Sequence, residues 1–254
     1  MLNVDIIPCL NDNYSYVISD KNSDLVGVID PSDFEVIDNF ILKKYNKIDY
    51  ILNTHHHYDH VGGNIELKLK YKSKIVGSFK DKNRIPGIDI TLKDNEIFKF
   101  GKNFFKTLLV PGHTSGHIAF YCSKENIVFT GDTLFSLGCG KIFEGTHEEM
   151  FRSLNRIKSL PSNTKIFCGH EYTKNNLEFC LNFDKKNNFL KDKQNWVNLK
   201  IKNKNPTIPT TIKEELKTNI FLRCDNSSLK SFLKMTEAND KDIFSKLRVL
   251  KDSF

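Results

Sequence analysis

The chain has 254 residues, 39% of them apolar and 27% charged, and a formal net charge of +7. That length suits one large domain, or a domain with an appendage, and buries a full core without covalent staples. The lysines are spread among acids, so the excess charge reads as a solvated surface and leaves attraction for an anionic partner open. No apolar run reaches membrane-spanning length. The six cysteines, at 9, 122, 139, 168, 180 and 224, form no C-x-x-C pair, which argues against a zinc ribbon. The opening MLNVD lacks the basic and apolar blocks of a secretory leader, so reduced thiols and a cytoplasmic location are expected.

In chain order, residues 4–7, 14–18 and 25–29 read as short strands separated by the polar turns NDN and KNS. Ser32 with Glu35 reads as a capping box, and Val36, Ile37, Phe40 and Ile41 as the apolar stripe of the helix that follows. A strand over 48–53 comes next, then a His-rich segment, then Gly62 and Gly63, which let the backbone pass close to a site. Residues 64–71 read as helix and 74–77 as strand, and 80–95 as polar and turn-rich. Strands are expected at 104–110, 118–122 and 127–129. GCG at 138–140 reads as a turn. Thr146 with Glu149 is a second capping box, ahead of an apolar face made by Met150, Phe151, Leu154 and Ile157. A strand over 165–168 is the last. Beyond Thr173 lysine and asparagine dominate, strand signals stop, and helical patterns occur around 177–181, 189–197, 212–216 and 229–232. The alternation of strands and helices points to a sandwich of sheets flanked by helices. There is no repeat and no nucleotide-binding glycine loop.

The chemistry concentrates at the ends of strands. THHHYDH at 54–60 carries His55 and His57 two residues apart, so an extended chain turns both rings to one side. Asp59 and His60 follow a bend and can face elsewhere. His113 follows the 104–110 strand, Asp132 the 127–129 strand, and His170 the 165–168 strand. Neutral imidazole with carboxylate suits zinc or iron, and carboxylates also suit manganese. Two cations about 3.5–4 Å apart can share a water and lower its pKa toward about 7, which removes the need for a serine or cysteine nucleophile. The same charge stabilises the oxyanion of an attacked carbonyl. Thr54, His56 and His117 are candidates for orienting the imidazoles.

H-x-H-x-D-H, a lone His, a lone Asp and a final His together resemble the metallo-β-lactamase superfamily. The resemblance implies an α+β fold, a four-layer αβ/βα sandwich with a C-terminal α-helical domain. It divides the chain into a catalytic domain at 1–173 and a helical substrate-binding domain at 174–254. It implies two divalent metal ions: His55, His57 and His113 on the first, Asp59, His60 and His170 on the second, and Asp132 bridging. Zinc is the expected metal, with iron and manganese as alternatives.

Within that superfamily the chain resembles glyoxalase II, the hydroxyacylglutathione hydrolases, along nearly its whole length. LNDNY at 10–14, VIDP at 28–31, THHHYDHVGG at 54–63, PGHTSGH at 111–117, GDTLF at 131–135, GCGK at 138–141 and CGHEYT at 168–173 carry the likeness. So do PTIPTT at 206–211 and NIFLR at 219–223, in a tail that most superfamily members lack. The resemblance implies hydrolysis of S-D-lactoylglutathione to D-lactate and glutathione by a metal-bridging hydroxide, the last step of methylglyoxal detoxification. His55, His57, Asp59 and Asp132 would be catalytic. Lys141, Phe143, Tyr172 and Arg223 would line the glutathione site, and Arg and Lys are suited to its carboxylates. Phe143 stands where some members have Tyr, and Cys224 and Asp225 follow Arg223 where some add positive charge, so weaker glutathione binding is expected. The implied partner is a small-molecule thioester bound by a monomer, with no nucleic acid and no membrane. A persulfide dioxygenase, a nucleic-acid processing enzyme and a non-catalytic relative are the competing readings. The tail motif, the lack of a basic aromatic arm and the full ligand set weigh against them in turn.

Overall fold

The computed structural model describes residues 2–254 and divides into two compact units. The first runs up to Leu109 and includes Ser115–Gly131; the second comprises Val110–Thr114 and Asp132–Phe254.

The first unit begins with an antiparallel meander of β1 (Leu2–Cys9), β2 (Asn13–Asp20) and β3 (Leu25–Ile29). Three parallel strands extend it: β4 (Tyr50–Leu52), β5 (Lys74–Ser78) and β6 (Ile90–Leu92). Parallel neighbours need crossovers. Here α1 (Phe34–Lys44) joins β3 to β4, while the one-turn α2 (Tyr58–Val61) and α3 (Asn64–Tyr71) join β4 to β5. Ile37, Ile41 and Leu67 of these helices pack with Val28, Ile51 and Ile75 of the strands in one apolar cluster. In a second sheet, β7 (Ile97–Phe100), β8 (Asn103–Leu109), β9 (Ile118–Cys122) and β10 (Ile127–Gly131) pair antiparallel, each with the next. Edge-to-face ring pairs tie the two sheets: Tyr16 with Phe129 at 5.2 Å and Tyr50 with Phe98 at 5.1 Å.

The parallel strands all end on one side of their sheet, which is where open α/β sheets place ligands. Asp30 follows β3, residues 53–60 follow β4, and a 3-10 turn at Phe79–Asp81 follows β5. Side chains far apart in sequence therefore become neighbours.

In the second unit, β11 (Leu134–Phe135) pairs with β12 (Gly138–Cys139) in a short hairpin. Helix α4 (His147–Lys158) follows, then β13 (Lys165–Cys168), α5 (Thr173–Phe183) and α6 (Asn188–Lys202). The two-residue β14 (Thr210–Thr211) pairs with β13 and leads into α7 (Ile212–Thr218), α8 (Ser227–Phe232) and α9 (Asp240–Asp252). The helices grip the β11–β12 hairpin. Asn176 donates to Ser136 O (3.1 Å), Asn219 to Gly138 O (3.1 Å) and Arg248 to Cys139 O (2.8 Å). Buried Glu215 accepts from Leu137 N (2.7 Å), Thr210 Oγ1 (2.7 Å) and Asn219 Nδ2 (3.0 Å). Burial pushes its carboxyl pKa up.

The structure corrects several expectations. Ser32 does not cap α1: it is buried against Ser15, and Asp33 takes the cap, accepting from Val36 N at 2.9 Å. Val36 faces outward, leaving Ile37 and Ile41 as the buried stripe. GCG at 138–140 is part of a hairpin held by helices, not a bare turn. Gly62 and Gly63 lie against the backbone of Pro31 and Ser32, where a Cβ on Gly62 would come within 2.7 Å of Ser32 O. The box at Thr146 and Glu149 forms as expected, and a second forms at Thr211 and Glu214. β6 and β7 lie in or beside the stretch read as turns: β6 is too short to show period-two alternation, and in β7 the outward-facing Ile97 masks it. All six cysteines are free and buried. Among the described residues no helix is long and apolar enough to cross a membrane.

Candidate metal centre

The seven ligand candidates divide four and three between the units. In the first unit, β4 ends at Leu52 and the chain bends at Thr54 and His55. His55 and His57 rings lie 4.7 Å apart, and His57 starts α2, which carries Asp59 and His60. His55 and His60 are buried, with ring centroids 4.2 Å apart.

Asp30 holds this group from behind. Its Oδ1 accepts from Thr54 N (2.8 Å), and its Oδ2 accepts from Thr54 Oγ1 (2.6 Å) and faces His60 Nδ1 (3.0 Å). Thr54 Oγ1 spends its proton on Asp30, so at 3.1 Å it accepts from His55 Nδ1–H. Both imidazoles are thereby set as Nδ1–H tautomers whose Nε2 lone pairs can bind a metal. His60 Nε2 faces Asp59 Oδ2 at 3.5 Å. Asn13 donates to that same oxygen at 2.8 Å and fixes the carboxylate. Asn53 donates to His60 O (3.0 Å) and His117 stacks on His55 at 4.6 Å, so His117 and Thr54 do orient imidazoles.

In the second unit a carboxylate stands at the middle. Asp132 Oδ2 lies 3.5 Å from His113 Nε2 and 3.2 Å from His170 Nε2. His113 Nδ1 donates to Lys141 O at 2.8 Å, which again leaves Nε2 as the ligand atom. The His113 loop is pinned where Ser153 of α4 donates to Pro111 O at 2.6 Å. Near His170, the Cys168 thiol donates to its carbonyl (3.5 Å), and burial pushes that thiol up to about 12. Each donor in both groups is an imidazole nitrogen or a carboxylate oxygen, so the residues fit a borderline divalent metal.

Of the residues that the resemblance gives to the glutathione site, Phe143 and Tyr172 fall beside the ligand candidates of the second unit and Lys141 beside Phe143, whereas Arg223 is held elsewhere. Phe143 lies edge-on to His113 at 5.2 Å and Lys141 Nζ sits 5.6 Å over the Phe143 ring. Tyr172 stacks on His170 at 4.7 Å with a 4° interplanar angle. The Arg223 guanidinium is paired with Asp184.

The sequence profile of the metallo-beta-lactamase superfamily matches residues 11–170, and that described as the hydroxyacylglutathione hydrolase C-terminus matches 171–254. The hydroxyacylglutathione hydrolase of Pelagibacter ubique (strain HTCC1062) is 52% identical over 253 residues, covering 100% of both chains. The chain belongs to the hydroxyacylglutathione hydrolase family. Its fold is that of the metallo-β-lactamase superfamily with a helical C-terminal region. The solved structure of ETHE1 from Myxococcus xanthus shares this fold, with a TM-score of 0.68 and 20% identity over 97% of this chain and 96% of that one. TTHA1623, solved in a di-iron-bound form, aligns with a TM-score of 0.54 and 27% identity over 62% of this chain and 87% of its own. Membership of the superfamily implies divalent-metal binding, and the His/Asp donors for it are present.

The sequence pointed to Thr54 and His117 but not to the other supports. Asn13 and Asp30 were visible only as family-like letters, and Asp184 not at all. A strand-ending Asp beside a ligand-bearing parallel strand is the signal that could have found Asp30.

Proposed function

We propose that the chain hydrolyses S-D-lactoylglutathione and related 2-hydroxyacylglutathiones to the 2-hydroxy acid and glutathione. The observation that carries this reading is the substrate-side residues Phe143 and Tyr172 packed against ligand candidates His113 and His170, in a chain matched end to end by hydroxyacylglutathione hydrolases. Two metal ions are the group the ligands suit: His55, His57 and His113 for one, Asp59, His60 and His170 for the other, and Asp132 for both. Zinc is the expected species; the di-iron relative supports iron as the alternative. When bound, such a pair supplies an activated water and charge for the developing oxyanion.

The chain's own residues do the rest. Asp30 and Thr54 hold His55 and His60 in the ligating tautomer, and Asn13 aims Asp59. Lys141 and Arg223 bring positive charge to the carboxylates of glutathione, and Tyr172 offers its hydroxyl to an amide. Residues 174–254 act as the substrate-binding domain of a monomer in the cytoplasm. Thiolate leaves readily, so no strong protein acid is needed.

The test is a thioester panel on protein of measured metal content. Lactoylglutathione should be cleaved fastest, and chelation should abolish turnover. Equal rates on thioesters lacking glutathione, or oxygen uptake with glutathione persulfide in place of hydrolysis, would overturn the reading.

A further inference from the structure

Asp81 ends the 3-10 turn after β5; the turn is capped by Ser78 Oγ, which accepts from Lys80 N at 3.2 Å. Its side chain is 0% exposed. A carboxylate taken fully out of water is costly unless its oxygens are paired. Asp81 is satisfied on one side only. Oδ1 accepts from Arg84 Nε (3.1 Å) and Nη2 (2.5 Å). Oδ2 has no hydrogen bond among the described residues, and the ionisable group facing it is His56 Nδ1, at 3.4 Å. Arg84 also donates to Ser115 Oγ at 3.1 Å. The next residue is a glycine for a steric reason: a Cβ on Gly116 would sit 1.9 Å from Asp81 Oδ1. Two loops thus close on one buried carboxylate whose remaining oxygen is aimed at the histidine between His55 and His57.

We propose that Asp81 is a positioning residue for the metal-ligand loop, acting through His56. His56 ligates nothing in the scheme above, yet its backbone is shared with both neighbours. Fixing its ring fixes the peptide planes on either side, and with them the angle between the His55 and His57 rings. Arg84 and Gly116 in turn fix Asp81, so the loop after β4 is referenced to the loop after β5 as well as to Asp30. The proposal rests on the metal-centre reading of His55 and His57.

The test measures metal retention, not turnover. Metal-loaded wild type, Asp81→Asn, His56→Gln and the double variant are titrated with a chelator, and the melting temperature of each metal-free protein is recorded. Asp81→Asn and His56→Gln should each weaken retention about tenfold or more, in the range of lost supporting contacts, and the double variant should be no weaker than the weaker single. Wild-type retention in His56→Gln overturns the proposal, whether or not Asp81→Asn folds. So does a double variant in which the two losses multiply. A wild type that binds no metal would instead sink the metal-centre reading itself.

Discussion

Both groups of ligand candidates set a carboxylate before an imidazole Nε2, but they are braced differently from behind. In the first unit carboxylate and amide side chains stand behind the imidazoles: Asp30 behind His60 and Thr54, Asn13 behind Asp59. In the second unit the carboxylate stands in front, with Asp132 Oδ2 facing the Nε2 atoms of His113 and His170. There the supports are backbone carbonyls, stacked rings and the grip of α5, α7 and α9 on the β11–β12 hairpin. The same residue type is thus a candidate ligand in one place and a brace in the other. What distinguishes the roles is which imidazole nitrogen the oxygen meets.

The largest effect should come from erasing the carboxylate in front. Asp132→Ala should lose metal and at least about a hundredfold in thioesterase activity, since loss of a ligand exceeds loss of a supporting contact. Metal analysis with the thioester assay checks it, and full activity in that variant would refute the scheme. Asp30→Asn keeps the shape behind the imidazoles and should weaken metal retention by about 10–100-fold, with activity recovering in excess metal. Equal losses in the two variants would erase the distinction between ligand and brace.

The grip on the hairpin is open to a stability test. Glu215→Ala removes a buried acceptor shared by three donors, stranding Leu137 N, and should cost about 2–4 kcal/mol in urea unfolding. Its pH signature should oppose that of Asp20. Burial raises Glu215 above 4.5, so the folded state favours the neutral acid. Stability is therefore lost as pH rises from 4.5 through the raised value, and Glu215→Gln should flatten that decline. Burial also pushes on Asp20, but Lys102 N (2.9 Å), Asn22 N (3.1 Å) and Ser23 Oγ (3.0 Å) outweigh it and hold the carboxyl below 3.8. Its contribution is present above 3.8 and lost as pH falls through the lowered value, so Asp20→Asn should flatten the acid limb. Urea midpoints across pH for both variants check the two signs.

The smallest effect concerns substrate. Phe143 is 61% exposed beside His113. Phe143→Tyr adds a hydroxyl within reach of a bound peptide-like ligand and should lower KM a few-fold, about one hydrogen bond's worth, with kcat unchanged. An unchanged KM would mean that Phe143 does not border the substrate.

The ligand candidates were legible in the sequence because imidazole and carboxylate at strand ends carry their chemistry openly. His55, His57, Asp59 and His60 lie within six residues of one another, and Asp132 and His170 end short apolar runs. The braces were not. Asp30 and Asp81 reach the same loop because β3, β4 and β5 run parallel and end together, and Asn13 because antiparallel β2 starts where β3 ends, which no local pattern encodes. Ser32 shows the converse: the capping pattern was sound locally, but Ser15 drew the hydroxyl inward and left the cap to Asp33. In the tail, α5 to α8 could be anticipated from periodicity, but α9 was foreseen only as part of a helical tail, and the hold of Asn219 and Arg248 on residues 138–140 not at all.

The burial of every cysteine has a consequence for the company this chain would keep. A protein releasing glutathione works among that thiol and its oxidised dimer, where any accessible thiolate would be drawn into mixed disulfides. Here burial pushes the Cys168 and Cys180 thiols up to about 12, so at neutral pH they are protonated as well as hidden. Native protein should therefore leave an aromatic disulfide reagent almost uncoloured until denaturant is added, and oxidised glutathione should add no mass to it.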